Sequence, residues 1–90
     1  MSKYQLVWGE QVPDGHGSVE IFGTLNGVQV ARVNPMRSSP GKWWVWVSLA
    51  PLPDQLDRML DTEKASERQA KATAQRVVNA FMKILSGEAQ

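Results

Sequence analysis

The sequence predicts an α+β fold, in which an antiparallel sheet of three or four strands, a β-meander, carries one C-terminal helix on one face. Three observations support this prediction. Short alternating segments separated by turn residues fill the chain before Pro51, and an Asn26-Gly27 dipeptide lies between two of them. Helical spacing of apolar residues begins only after Pro51.

The chain of 90 residues is long enough for one domain. We expect residues 1–90 to form it, with a β part at about 4–50, a linker or short helix at 51–65 and a C-terminal helix at about 66–86. Hydrophobic residues make up 42% and charged residues 21% of the chain, which argues against disorder. The absence of cysteine excludes disulfides and thiolate metal sites.

The first predicted strand covers residues 4–8. A loop follows at 13–17, because proline fixes φ and glycine permits positive φ. Residues 18–25 then alternate, and residues 28–33 form the returning strand. Asn26-Gly27 joins them as a type I′ hairpin turn, which needs positive φ at both central residues.

A regular two-residue turn would determine which residues pair across this hairpin. On the face predicted to meet the core, the pairs are Leu25–Val28, Gly23–Val30 and Ile21–Arg32. On the other face, the pairs are Thr24–Gln29, Phe22–Ala31 and Glu20–Val33. Gly23 leaves a gap in the core face that can admit a helix side chain or a tryptophan ring.

Residues 42–49, Lys-Trp-Trp-Val-Trp-Val-Ser-Leu, contain three of the four tryptophans. In a strand, Trp43 points to one face, whereas Trp44 and Trp46 point to the other. We expect Trp43 to close the core against the helix, beside the gap at Gly23. The second face, which also carries large apolar groups, must then meet another segment, another copy or a ligand.

Two helical segments follow Pro51. Residues 54–60 predict a short helical turn with Leu56, Met59 and Leu60 facing inward. Ser66 with Gln69 predicts a capping box, with Thr62 as a rival start, and Gly87 suits the position after the last turn. The predicted inward stripe of the long helix consists of Ala70, Ala74, Val77, Val78, Phe81, Met82, Ile84 and Leu85.

Few residues suit catalysis or metal binding. His16 is the single histidine, so we expect no metal. No serine lies in a nucleophile elbow, and a solvated acidic face explains Asp54, Asp57 and Asp61 better than acid–base chemistry does. We therefore expect no enzyme and no cofactor.

The second face of the sheet is the best candidate for a binding site. We expect Ala31 and Val33 to complete an apolar patch there. The candidate binding residues are Trp44, Trp46, Phe22, Lys42, Arg37 and Arg32. Tryptophan and arginine anchor many protein interfaces, and aromatic rings between cations also suit nucleic acid. Alternatively, residues 4–8 or 51–60 fold over this face and cover it.

The pattern of the chain resembles small phage and prophage proteins. The matching segments are Gly-Ser-Val-Glu-Ile at 17–21, Asn-Gly-Val-Gln-Val-Ala-Arg-Val at 26–33, Gly-Lys-Trp-Trp-Val-Trp at 41–46 and Ser-x-x-x-Ala-Lys at 66–71. The expected topology is also similar to the N-terminal DNA-binding module of tyrosine integrases, which is related to plant AP2 domains. In that module, a three-stranded sheet enters the major groove. The strands of this chain are poorer in lysine and arginine than that family's pattern.

These observations predict a non-enzymatic binding protein of phage or mobile-element type. We expect it to bind a protein partner, or itself as a dimer, through the aromatic sheet face. The alternative is a DNA- or RNA-binding module, which the net charge of +1 disfavours. We expect no membrane partner and a cytoplasmic location, because no apolar run approaches the ~20 residues that span a bilayer and no signal peptide is visible.

Overall fold

A computed structural model describes residues 4–49, 51–61 and 63–87. It confirms the α+β fold, with an antiparallel sheet and a C-terminal helix packed against it. The strands are β1 (Val7–Trp8), β2 (Val12–Pro13), β3 (Val19–Leu25), β4 (Val28–Pro35) and β5 (Trp43–Val47). The helices are α1 (Asp54–Leu60) and α2 (Glu67–Ser86).

The strands β3, β4 and β5 follow one another as a meander, and β1 and β2 both pair with the remaining edge of β3. Pairing of the first segment begins at Val7, later than predicted. Just before it, the Leu6 amide donates to Oε1 of Gln75 on α2 at 2.8 Å. A helix side chain thus accepts the backbone amide at the start of the first segment.

The hairpin contains an extra residue that the sequence interpretation missed. Asn26 and Gly27 have φ values of 53° and 81°, which confirms the predicted turn. Next to the turn, Thr24 pairs with Gln29 as predicted. The following pair is Gly23 with Ala31, so Val30 has no partner and is the extra residue of a β-bulge. The predicted pairs Gly23–Val30, Ile21–Arg32, Phe22–Ala31 and Glu20–Val33 are therefore wrong.

This bulge exchanges the two faces of β4, because a shift of one residue turns every side chain over. Ala31 and Val33 become 4% and 0% exposed in the core, so their predicted place in the second-face patch is wrong. Arg32 instead pairs with Phe22 on the opposite face. The bulge therefore moves the cation of this strand away from the core.

The core lies between the sheet and α2. Ile21, Val33 and Val45 form one cross-strand row with 0–3% exposure. They share a cluster with Ala70 and Ala74 of the helix, both fully buried. The small alanine side chains allow the helix backbone to lie close to the sheet.

The gap at Gly23 is filled by Trp8. A Cβ atom built on Gly23 would lie 3.0 Å from two atoms of the Trp8 ring, so the ring rests directly on the glycine. The expectation that Trp43 lies beside this gap is wrong. Trp43 pairs with Pro35 at the other end of the sheet, where it still packs against the core.

The ends of α2 match their sequence signals. The Gln69 amide donates to Oγ of Ser66 at 3.1 Å, and the Gln69 side chain accepts from the Ala65 amide. Gly87 ends the helix with a φ of 78°. The rival start, Thr62, lies outside the described residues, but the helix itself begins at Glu67.

The inward stripe of α2 ends earlier than predicted. Phe81 is buried, and it forms a second cluster with Leu56 of α1, which confirms the inward face of the short helix. Ile84 and Leu85 are 43% and 65% exposed, so their predicted burial is wrong. The helix α1 packs beside Phe81, and Leu85 belongs to neither buried cluster.

Candidate functional site

The face of the sheet opposite α2 brings together most of the predicted binding residues. We call it the outer face and define it by Phe22, Arg32, Asn34, Trp44 and Trp46. Phe22, Arg32 and Trp46 form one cross-strand row, and Asn34 pairs with Trp44 in the next row. Three strands therefore contribute to one continuous surface.

Trp46 lies at the centre of this surface and is 51% exposed. The Cζ atom of Arg32 lies 5.0 Å from the centroid of its ring, within the range of a cation–π interaction. The indole Nε1 donates to Oδ1 of Asn34 at 3.2 Å. These two contacts hold an exposed aromatic ring in one orientation.

Arg32 also contacts a carboxylate. Its Nη1 lies 3.9 Å from Oε1 of Glu20, a long ion pair. Its Nε is buried and has no hydrogen-bond partner among the described residues. The charge on the outer face is therefore mixed, with a carboxylate near its central cation.

Residues 4–8 and residues 51–60 were the two segments expected as alternative covers, and neither lies over the outer face. Tyr4, Leu6 and Trp8 pack into the core on the helix side of the sheet. The linker residue Leu52 and the helix α1 join the second cluster, beside Val77 and Phe81 of α2. Within residues 4–49, 51–61 and 63–87, the outer face is open to solvent around Trp46.

A loop cavity of about 320 Å³ adjoins the outer face at Trp44, and Arg37 and Asp14 also line it. The Asp14 carboxylate accepts the amides of His16 at 2.7 Å and of Ser18 at 3.1 Å. The hydrogen bond from the His16 amide is the main reason why the pKa of Asp14 is lowered, and the Arg37 charge adds to it. The structure thus places the predicted residue Arg37 on the same cavity as Trp44, near enough for its charge to act on Asp14.

A smaller cavity, of about 220 Å³, lies at the other end of the outer face. Phe22, Arg32 and Trp46 line it together with Gln29 and Ser48. Strand alternation already placed Gln29 on this face, opposite Thr24, but neither polar residue was among the predicted binding residues.

The remaining predicted site residue, Lys42, lies just before β5. Its carbonyl accepts the Met36 amide at 2.9 Å, which closes the loop between β4 and β5. Lys42 lines neither of the two outer-face cavities. Asn34, the side-chain partner of Trp46, was missed because the predicted strand ended at residue 33, whereas β4 continues to Pro35.

Other kinds of site find little support in the described part of the chain. It contains no group of three or more histidine, cysteine, aspartate or glutamate side chains that could hold a metal ion. Among the same residues, neither helix has the length and apolar character required to cross a membrane.

Comparisons with known proteins leave the outer face as the main guide to function. No protein-family model matches the chain, and no curated protein and no solved structure is significantly similar to it. The resemblance to phage proteins and to the integrase module therefore stays a prediction.

Proposed function

We propose that this chain is a non-enzymatic binding protein, of the phage or mobile-element type that its pattern resembles, and that its outer face docks onto a protein partner. The observation that supports this proposal most is the state of Trp46. The ring is half exposed, yet Arg32 and Asn34 orient it. Tryptophan and arginine dominate the binding energy of many interfaces, and orientation before binding reduces the entropy lost on association.

The charges favour a protein partner over nucleic acid. Arg32 lies near Glu20, and Arg37 lies near Asp14. The chain as a whole carries a net charge of only +1. Nucleic-acid affinity depends on cations that neutralise phosphates, and a nearby carboxylate offsets part of the charge of each of these two cations.

Nucleic acid remains the second candidate, because the row of Phe22, Arg32 and Trp46 has the composition of a base-stacking platform. Fluorescence anisotropy with single-stranded RNA and duplex DNA at low salt tests it. We expect no saturable binding. Binding that weakens steeply as the salt concentration rises would support the second candidate instead.

Photo-crosslinking from the outer face tests the proposed function. A benzophenone amino acid replaces Trp46 in one variant and Leu85 in a matched variant, because both side chains are about half exposed or more but lie on different elements, β5 and the last turn of α2. We expect position 46 to give a discrete protein adduct in the producing cell and position 85 to lack it.

The adduct's protein is then purified and its affinity for the wild-type chain is measured. Trp46→Ala should weaken this binding by roughly 30-fold or more, the effect of a hot-spot residue. Leu85→Ala should change it little. Identical adducts from both positions, or equal losses in both alanine variants, would contradict an interface at the outer face.

A further inference from the structure

A groove of about 300 Å³ lies between the free edge of β5 and the helix α1. Residues 44–47 of the strand line one side. Leu52, Asp57, Leu60 and Asp61 line the other side. The groove adjoins the outer face, because Trp44 and Trp46 line it as well.

The backbone of β5 faces this groove with hydrogen-bonding groups that no described residue uses. On its inner side the strand pairs with β4, and the Ser48 amide donates to the Val30 carbonyl at 2.7 Å. Alternate residues of an antiparallel strand direct their amide and carbonyl to opposite edges, so those of Val45 and Val47 point to the groove. Among the described residues, none forms a backbone hydrogen bond with this edge of Val45 or Val47.

The chain itself shows that this edge accepts an antiparallel strand. Trp43 donates to the Lys64 carbonyl at 2.9 Å, and the Lys64 amide donates back to Trp43 at 2.8 Å. This single bridge lies at one end of β5. Beyond the bridge, no described residue pairs with this side of β5, and an unpaired strand edge is a template for strand addition.

The side of the groove opposite β5 combines two leucine and two aspartate side chains. Leu52 and Leu60 are partly buried, whereas Asp57 and Asp61 are exposed. Neither carboxylate forms an ion pair with a described residue. Lys64, at the bridged end, directs its Nζ to the Met59 carbonyl at 2.7 Å.

We propose that this groove binds an extended, cationic segment of the protein partner as a short added strand beside β5. Main-chain hydrogen bonds to the Val45 and Val47 edge would provide affinity. Lysine or arginine side chains would lay their aliphatic stems on Leu60 and place their charges at Asp57 and Asp61. The proposal rests on the proposed function, since the same partner would contact Trp46 on the adjoining outer face.

The charge of the groove argues against a second copy of this chain as its occupant. An edge-to-edge dimer would bring another β5 to the groove, and Trp43–Val47 contains no lysine or arginine. Such a strand would leave Asp57 and Asp61 without cations. Charge complementarity therefore favours a different protein.

Designed peptides test the strand addition. The probe is a fluorescein-labelled seven-residue peptide of alternating lysine and valine, and its matched control alternates glutamate and valine. We expect saturable binding of the lysine peptide by anisotropy and at least a tenfold weaker affinity of the glutamate peptide. Equal binding of both peptides, or none by the lysine peptide up to about 1 mM, would overturn the inference.

Backbone methylation tests whether the peptide pairs with the edge. One derivative is N-methylated at every valine and the other at every lysine. Only one set of amides can point to β5, so one derivative should lose binding and the other should retain it. Equal affinities of the two derivatives would show that charge alone holds the peptide, and the strand addition would be wrong.

Three substitutions, two on α1 and one directly after it, test the acidic wall. Asp57→Asn with Asp61→Asn should weaken the lysine peptide by about five- to tenfold, as expected for the loss of two exposed ion pairs. Asp54→Asn is the matched control, since Asp54 is also exposed on α1 but does not line the groove. Equal effects of the control and the double variant would contradict a local site.

The two proposals fail separately. If the peptide does not bind but position 46 still crosslinks a partner, the groove inference fails and the outer face stands. If the peptide binds but no specific adduct forms at position 46, the outer-face function fails. A homodimer in sedimentation velocity that the lysine peptide dissociates would identify a second copy as the occupant and overturn the choice of partner.

Discussion

Two neighbouring rows of the same sheet differ in what holds their side chains. In one row, Ile21 and Val45 are 2% and 3% exposed and pack beneath α2. In the next row, Phe22 and Trp46 flank Arg32, and the tryptophan is 51% exposed. The side chains of the core row are held by burial, whereas those of the outer row are held by a cation–π contact, one side-chain hydrogen bond and a long ion pair. The comparison shows that apolar character does not by itself determine which face a helix covers.

The largest expected effect tests the core row. Ile21→Ala should lower the free energy of unfolding by about 2–5 kcal/mol, because it removes a fully buried side chain and leaves a cavity. Phe22→Ala is the matched variant, since Phe22 is the next residue in the chain but points to the outer face and is only partly buried. Urea denaturation measures both. A loss in Phe22→Ala as large as that in Ile21→Ala would show that the two rows do not differ as described.

Deletion of Val30 tests the origin of the difference between the rows. Every observed cross-strand pair of β3 and β4 can survive this deletion, because Val30 is the residue without a partner opposite it. We expect the chain to fold with Arg32 still opposite Phe22 and to lose about 2 kcal/mol, the contribution of one buried valine. Cross-strand nuclear Overhauser effects report the pairing. Arg32 contacts with Ile21 instead would mean that the bulge does not set the register.

The outer row should contribute less to stability. Trp46→Ala should cost about 1 kcal/mol, because the ring is half exposed and its contacts with Arg32 and Asn34 are partly solvated. Acrylamide quenching should also fall in this variant, since an accessible fluorophore is lost. Global unfolding of the variant would show that Trp46 is a core residue.

The smallest effect concerns the loop beside Trp44. The pKa of Asp14 is lowered from its ordinary value of 3.8, mainly by the hydrogen bond from the His16 amide. The charged form therefore stabilises the fold above the ordinary carboxyl pKa, and this contribution disappears as the pH falls through the lower folded value. A carboxyl-detected NMR titration should show the lowered pKa.

Asp14→Asn provides the control for this titration. It retains an oxygen acceptor for the His16 amide but removes the titrating charge. The wild-type chain should lose stability relative to this variant between about pH 5 and pH 2, where carboxyl groups protonate. Parallel curves of unfolding free energy against pH for the two chains across that range would contradict the lowered pKa of Asp14.

Much of the fold could be predicted because its signals are local. Asn26-Gly27 marks a turn whose positive φ values few other residues tolerate, and Ser66 and Gly87 mark helix ends through contacts within one turn. Alternation in β5 likewise placed Trp44 and Trp46 on one face. The candidate site was therefore largely identified, with Asn34 and Gln29 as its missing polar members.

The wrong predictions concern the register of β4 and the burial of Leu85, which depend on contacts between residues distant in the sequence. Val30 is 7% exposed, and its extra position in β4 buries Ala31 and Val33 as well. No local preference for a bulge marks this segment. Leu85 continues the apolar spacing of α2 but has no described neighbour to cover it. Periodicity shows which residues share a face, but not where the opposing surface ends.

The sequence by itself determined the order of the elements apart from the two-residue strand β2, the hairpin turn, the helix caps and the placement of Trp44 and Trp46 on one face. These features depend on backbone preferences and on contacts between residues close in the chain. Only the tertiary structure decided that Trp8 fills the gap at Gly23, that Arg32 turns outward and that the outer face stays open. Those outcomes depend on how α2 and the N-terminal segment share the space over one side of the sheet, which no local segment of the chain specifies.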